Sequence, residues 1–134
     1  MTDKTRKYNA ITNKISITVF PQYLSAESNP AIGKFIYSYH ITIENQGFHT
    51  VKLLTRHWSI IDSIQVRREV NGEGVVGQQP EIDPGQSFSY MSFCPLNSPI
   101  GKMKGDYNFR NLDDNSTFDA EIPEFLLISD FKLN

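Results

Sequence analysis

The feature that constrains this chain most is the two-residue period of its side chains. Between Lys34 and Asn45, the residues Phe35, Tyr37, Tyr39, Ile41 and Ile43 share one parity, and Ser38, His40, Thr42 and Glu44 share the other. Between Gly101 and Arg110, Met103, Gly105, Tyr107 and Phe109 alternate with Lys102, Lys104, Asp106, Asn108 and Arg110. Successive strand side chains point to opposite faces, so both segments read as half-buried β-strands. No stretch sustains the 3.6-residue period of an amphipathic helix.

The same reading places a strand at Ile15, Ile17 and Val19, ended by Pro21, and a loop from Gln22 to Gly33. The segment Thr50 to Asp62 breaks alternation at Leu53-Leu54 and at Ile60-Ile61, which predicts a bulge or cover on both faces. Trp58 shares parity with Leu54 and Ile60 and is placed inward. Ile64 to Val70 reads as a short edge strand, Asn71-Gly72 as a two-residue turn, and Pro84-Gly85 as the centre of a type II turn. In Ser87 to Phe93, Phe88 and Tyr90 fall on one parity and Met91 and Phe93 on the opposite one, again predicting a bulge or double cover. Phe118, Ala120 and Ile122 close the series before Pro123, and Met1 to Asn13 is expected to fray. About seven short strands with regular turn signals make an all-β fold, an antiparallel two-sheet sandwich. At 134 residues the chain is expected to form one domain spanning 1–134.

Charge and cysteine usage narrow the function. A net charge of −2 argues against nucleic-acid binding, which shows as a basic excess. The lone Cys94 rules out an internal disulfide framework. The polar N-terminus lacks a signal-peptide core, and the late apolar run Phe125 to Ile128 is too short to span a membrane, so a cytoplasmic protein is expected.

Gly72, Gly74 and Gly77 have the G-x-G-x-x-G spacing that lets backbone approach a pyrophosphate. The dinucleotide fold needs a helix after that motif, and Gln78-Gln79-Pro80 followed by Pro84-Gly85 cannot start one. Two readings stay open: glycines that make tight bends between strands, and a loop of N–H groups cradling phosphate or nucleotide. His40, His49 and His57 belong to no metal-binding spacing, and the last two lie about 26 Å apart along one strand, so no metal or other cofactor is expected. Cys94 before Pro95 reads as a buried thiol rather than a nucleophile. Asp113 with Asp114, and Asp119 with Glu121, read as turn and solvated-face carboxylates, and Lys102, Lys104 and Arg110 as a diluted basic row. No catalytic set is assembled, so a non-enzymatic protein is expected.

The runs Val51-Lys52-Leu53-Leu54-Thr55-Arg56-His57-Trp58, Gly72 to Pro80, Pro84-Gly85-Gln86-Ser87-Phe88, Gly101-Lys102-Met103, Gly105-Asp106-Tyr107 and Ile122-Pro123-Glu124-Phe125 resemble, in this order, the ApaG family. The resemblance covers Ile15 to Leu127 and makes Arg56, His57 and Trp58 family-signature residues. It implies a fibronectin type III or immunoglobulin-like sandwich and no settled activity. The family is named for its operon neighbour, a diadenosine tetraphosphate hydrolase. It is also associated with magnesium and cobalt handling, and related domains occur in F-box and polymerase-interacting proteins, where they bind partners. Its glycine motif, proposed to contact nucleotide or pyrophosphate, falls on Gly72, Gly74 and Gly77 here. The chain departs from the pattern at Met91-Ser92-Phe93-Cys94 and at Asp62-Ser63-Ile64-Gln65. Together these readings point to a protein-interaction module with an unidentified protein partner. The alternatives are a phosphate or nucleotide ligand at the glycine loop and, at the exposed edge near Ile64 to Val70, pairing into a homodimer.

Overall fold

The computed structural model describes residues 6–63 and 66–129. It is an antiparallel two-sheet sandwich. Its strands are β1 (Tyr8–Thr12), β2 (Ile15–Tyr23), β3 (Phe35–Asn45), β4 (Val51–Asp62), β5 (Arg67–Glu73), β6 (Glu81–Ile82), β7 (Ser87–Leu96), β8 (Ile100–Asn111) and β9 (Thr117–Ile128). One sheet has the order β1-β2-β3-β7; the other runs β5-β4-β8-β9, with β6 also on β4. All of these pairings are antiparallel.

The alternating parities of β3 and β8 are the core. Phe35, Tyr37, Tyr39, Ile41 and Ile43 are buried, as are Met103, Tyr107 and Phe109 on the facing sheet. Trp58 is buried as well, and its ring meets Tyr39 at 5.3 Å and Phe125 at 5.8 Å between centroids. Phe125 is fully buried and also touches Tyr39 at 6.0 Å and Tyr8 at 6.2 Å. Aromatic rings at these separations attract beyond their area burial. This one cluster joins β1 and β3 to β4 and β9.

Two irregularities set which residues face inward. The β4/β8 register shifts between Leu53 and Thr55, so Val51 and Leu53 face the core before the bulge and Trp58 and Ile60 after it. That is the bulge Leu53-Leu54 predicts. A second shift lies opposite β9: Met103 pairs with Phe125 but Gly105 with Ile122. Pro123 and Glu124 together oppose the single residue Lys104, one residue extra, and burial passes from Ala120 and Ile122 to Phe125 and Leu127.

Several expectations are corrected. The segment Met1 to Asn13 does not simply fray: Tyr8–Thr12 forms β1 against Ile15–Val19, with Asn13 and Lys14 at positive φ in the connecting turn, while 1–5 lie outside the described residues. Pro21 does not end its strand but sits in β2 opposite Tyr39. It is tolerated because β1 pairs β2 only as far as Val19, so the proline nitrogen faces an edge. Pro123 likewise lies inside β9, an edge strand, at the bulge. Asn71-Gly72 is not a turn: both residues are in β5, opposite His57 and Arg56. The start of that strand, predicted at Ile64, lies outside the described residues. β7 has an unbroken register with β3 and no bulge, so Met91 and Phe93 point to the outer face. The N-terminal strand and the two-residue β6 bring the total among the described residues to nine strands, above the expected seven or so.

Because Phe125 touches rings from three other strands, Phe125→Ala is expected to cost about 3–5 kcal/mol, the range for aromatic truncation in a core. Equilibrium urea unfolding followed by far-ultraviolet circular dichroism measures it.

Candidate functional site

The glycine segment is a tight hairpin hung on the end of β5. Val75 and Gln78 exchange two main-chain hydrogen bonds, of 2.8 and 2.9 Å, around Val76 and Gly77. Both central residues have positive φ, 42° and 79°, which is the twist a two-residue hairpin turn requires. Gly74, at φ 61°, lies so close to the Gln78 carbonyl that a Cβ would overlap it. The Gly74 N–H donates to the Leu54 carbonyl at 2.8 Å. The N–H groups of Gly74, Val75 and Gln78 are thus each given to a carbonyl of the chain rather than turned towards an anion.

Arg56 explains the first glycine. Its side chain lies against Gly72, where a Cβ would sit 2.7 Å from the guanidinium. From there Nη1 donates to the carbonyls of Glu73 at 3.1 Å and Gly74 at 2.8 Å. Arg56 is half-buried and also biases the tyrosines between the sheets. Burial raises the hydroxyl pKa of Tyr39, Tyr90 and Tyr107, and the Arg56 charge offsets part of that. Tyr90 and Tyr107 hydrogen-bond to each other there.

His57 points the other way, to the outer face of the five-stranded sheet. Its Nε2 is 2.7 Å from the Glu69 carboxylate on β5, and its Nδ1 is 3.6 Å from Asp106 on β8. His57 and Asp106 border a groove of about 630 Å³ that is also lined by Ser59, Lys104, Asp119 and Glu124. Among the described residues, no group of three or more His, Cys, Asp or Glu side chains is placed to hold a metal ion. His49 pairs with Asp113 at 2.6 Å, and His40 is exposed on the outer face of β3. The three histidines therefore lie in separate surroundings.

Cys94 is buried, and that burial pushes its thiol up to about 11, with Arg68 Nη2 3.6 Å away opposing the shift. A thiol held there is protonated at neutral pH and a poor nucleophile. Asp114 is held below its ordinary range by the Ser116 hydroxyl and N–H, as befits a turn carboxylate.

The feature that reading by segments misses is on the outer face of the four-stranded sheet. Cross-strand rows Phe20–His40–Met91 and Gln22–Ser38–Phe93 run beside Ile36 and Pro95. Met91 is 52% and Phe93 58% exposed. The signal was available: carried on to Leu96, the even parity of Phe88, Tyr90, Cys94 and Leu96 is inward throughout. Among the described residues, no helix is long and apolar enough to cross a membrane.

Gly72→Ala is expected to cost about 1–3 kcal/mol through overpacking against Arg56, and clearly less once Arg56→Ala has removed the obstacle. A double-mutant cycle in urea measures the coupling; additive costs would exonerate the guanidinium. A second outcome concerns Glu69, whose carboxyl is held below its ordinary 4.5 by the Ser59 hydroxyl first and His57 next. A lowered carboxylate pKa adds stability that is present above the ordinary value and lost as pH falls through the folded one. A carbon-detected NMR titration should place the Glu69 midpoint below that of a peptide glutamate, and both Ser59→Ala and His57→Ala should raise it.

The family model described as the ApaG domain matches residues 25–111. Protein ApaG of Caulobacter vibrioides is 46% identical over 120 residues, covering 90% of this chain and 85% of that protein. Protein ApaG of Mesorhizobium japonicum is likewise 46% identical over 120 residues, covering 90% and 92%. A crystal structure of the putative ApaA protein from Bordetella pertussis superposes with a TM-score of 0.84 at 39% identity, covering 86% of this chain and 93% of that one. With this agreement in sequence across most of the chain and in the arrangement of both sheets, the chain belongs to the ApaG domain family.

Proposed function

We propose that this protein is a non-catalytic interaction module that binds a protein partner on the outer face of the four-stranded sheet. The observation that carries the proposal is the apolar island of Phe20, Ile36, Met91, Phe93 and Pro95, with Met91 and Phe93 more than half exposed. Apolar side chains of this size on a rigid sheet, interleaved with His40 and Ser38 and flanked by Gln22 and Thr42, have the mixed make-up of a protein contact surface. Methionine and phenylalanine are residue types enriched in the centres of such contacts. Of the two places where the chain departs from the family pattern, one, Met91 to Cys94, contributes Met91 and Phe93 to this surface. That divergence fits a partner of its own.

The supporting chemistry elsewhere is structural. Arg56, the residue best suited to hold a phosphate, is committed to two backbone carbonyls, and the N–H groups of Gly74, Val75 and Gln78 are given to carbonyls of β4 and of the hairpin. Pyrophosphate at Gly72 to Gly77 is therefore the weaker reading.

A photo-activated cross-linking residue placed at Met91 is expected to give one discrete adduct in lysate of the producing cells. The same residue at Lys52, on the other sheet, should not. Phe93→Ser should abolish the adduct with the melting temperature unchanged. Indistinguishable labelling from both positions would overturn the proposal.

A further inference from the structure

We propose that the free edge of β5 pairs antiparallel with β5 of a second copy of this chain, in the register centred on Val70. The strand β5 has β4 on one side and no other strand beside it among the described residues. Its hydrogen-bonding parity is fixed at both ends. The Gly74 N–H donates to Leu54 of β4, and the Val66 carbonyl accepts from Asp62 at the other end of β4. Main-chain groups alternate in direction along a strand, so Arg68, Val70 and Gly72 also turn towards β4. Arg67, Glu69, Asn71 and Glu73 then turn theirs to the open edge. A partner strand can dock only in a register that sets these four against their own kind.

The charges select one such register. Centred on Val70, Arg67 lies opposite the second copy's residue 73, a glutamate, twice by symmetry, and Glu69 lies opposite Asn71. Centring on Glu69 sets glutamate against glutamate, and centring on Asn71 sets Glu69 against Glu73. Like charges directly opposite destabilise a strand pair. Centring on Arg68 sets Arg67 against Glu69 but stacks two arginines on the axis and uses less of the strand. The Val70 register engages the whole of Arg67–Glu73, with about eight ladder hydrogen bonds at two per bonded pair. The Glu73 carbonyl, which already accepts from Arg56, keeps a second lone pair for that ladder. Val70, 38% exposed, meets its own copy at the two-fold axis. An isologous contact of this kind closes on itself and does not propagate into fibres.

The geometry is separate from the Met91 face, which lies on the other sheet, so the two proposals fail independently. Sedimentation equilibrium of the intact chain should show a dimer of the 15.3 kDa protomer that dissociates on dilution. Arg67→Glu alone and Glu73→Arg alone should each weaken it at least tenfold, and the two together should restore it to within about threefold. Val70→Cys should cross-link to itself under mild oxidation, since Cys94 is buried. Circular dichroism confirms that each variant is folded. A monomer at every concentration up to millimolar, or a dimer indifferent to the charge swap, would overturn the proposal.

Discussion

The contact of Tyr39, Trp58 and Phe125 is what makes two sheets into one body. Tyr39 comes from the four-stranded sheet, and Trp58 and Phe125 from the five-stranded one, with centroid separations of 5.3, 5.8 and 6.0 Å. Sheets have no intrinsic reason to face each other; the apolar area withdrawn from water and the fit of the side chains hold them together, with a few hydrogen bonds such as Tyr90–Tyr107 between them. Both bulges serve this contact. Without the shift after Leu53, Trp58 would face solvent with His57 inside, and without the Pro123-Glu124 shift Phe125 would point away from the core. The irregular places in the ladder are therefore where the pattern of the core is kept.

How much of this could be read in advance follows from how local each cause is. The parity of β3 and β8 depends on nothing but the chain itself, and the doubled Leu53-Leu54 announces its bulge. Pro21 and Pro123 misled because their tolerance depends on which neighbour strand is missing, a fact about the sheet and not the segment. Asn71-Gly72 misled for a related reason. Its pairing is a strong turn signal alone, but Gly72 is a glycine because Arg56 of the adjacent strand lies across it. The strand Tyr8–Thr12 carries little pattern of its own and is held by Tyr8, which packs on Phe125 and whose hydroxyl accepts from the Leu126 N–H at 3.4 Å.

The three glycines of the G-x-G-x-x-G spacing illustrate how one motif can arise from unrelated demands. Gly72 makes room for a side chain, Gly74 for a carbonyl, and Gly77 for a backbone angle with nothing within 4 Å of its missing Cβ. Each demand belongs to closing β5 back towards β6. The spacing that elsewhere seats a pyrophosphate is here the footprint of a hairpin with an arginine under its arm. Spacing alone carried no information about which; the direction of the N–H groups does.

The two long sides of the sandwich are not alike, and that asymmetry bears on where a partner can bind. On one side β1 and β2 lie against β9, and side chains from β1 reach its backbone, as Thr12 does at Glu121 and Tyr8 at Leu126. On the other side the edges of β5 and β7 are joined by Arg68, which donates to the Pro95 carbonyl at 2.7 Å. An edge strand offers a row of main-chain donors and acceptors, and natural sheets blunt such edges with charge, proline or cover. Here Pro95 and Arg68 blunt the narrow gap between the sheets, while the open edge of β5 carries Arg67 at one end and Glu69 and Glu73 towards the other. Charge placed only to repel would carry one sign; Arg67 against Glu69 and Glu73 gives this edge both, which the proposed pairing of two β5 strands needs and a purely repelling edge would lack.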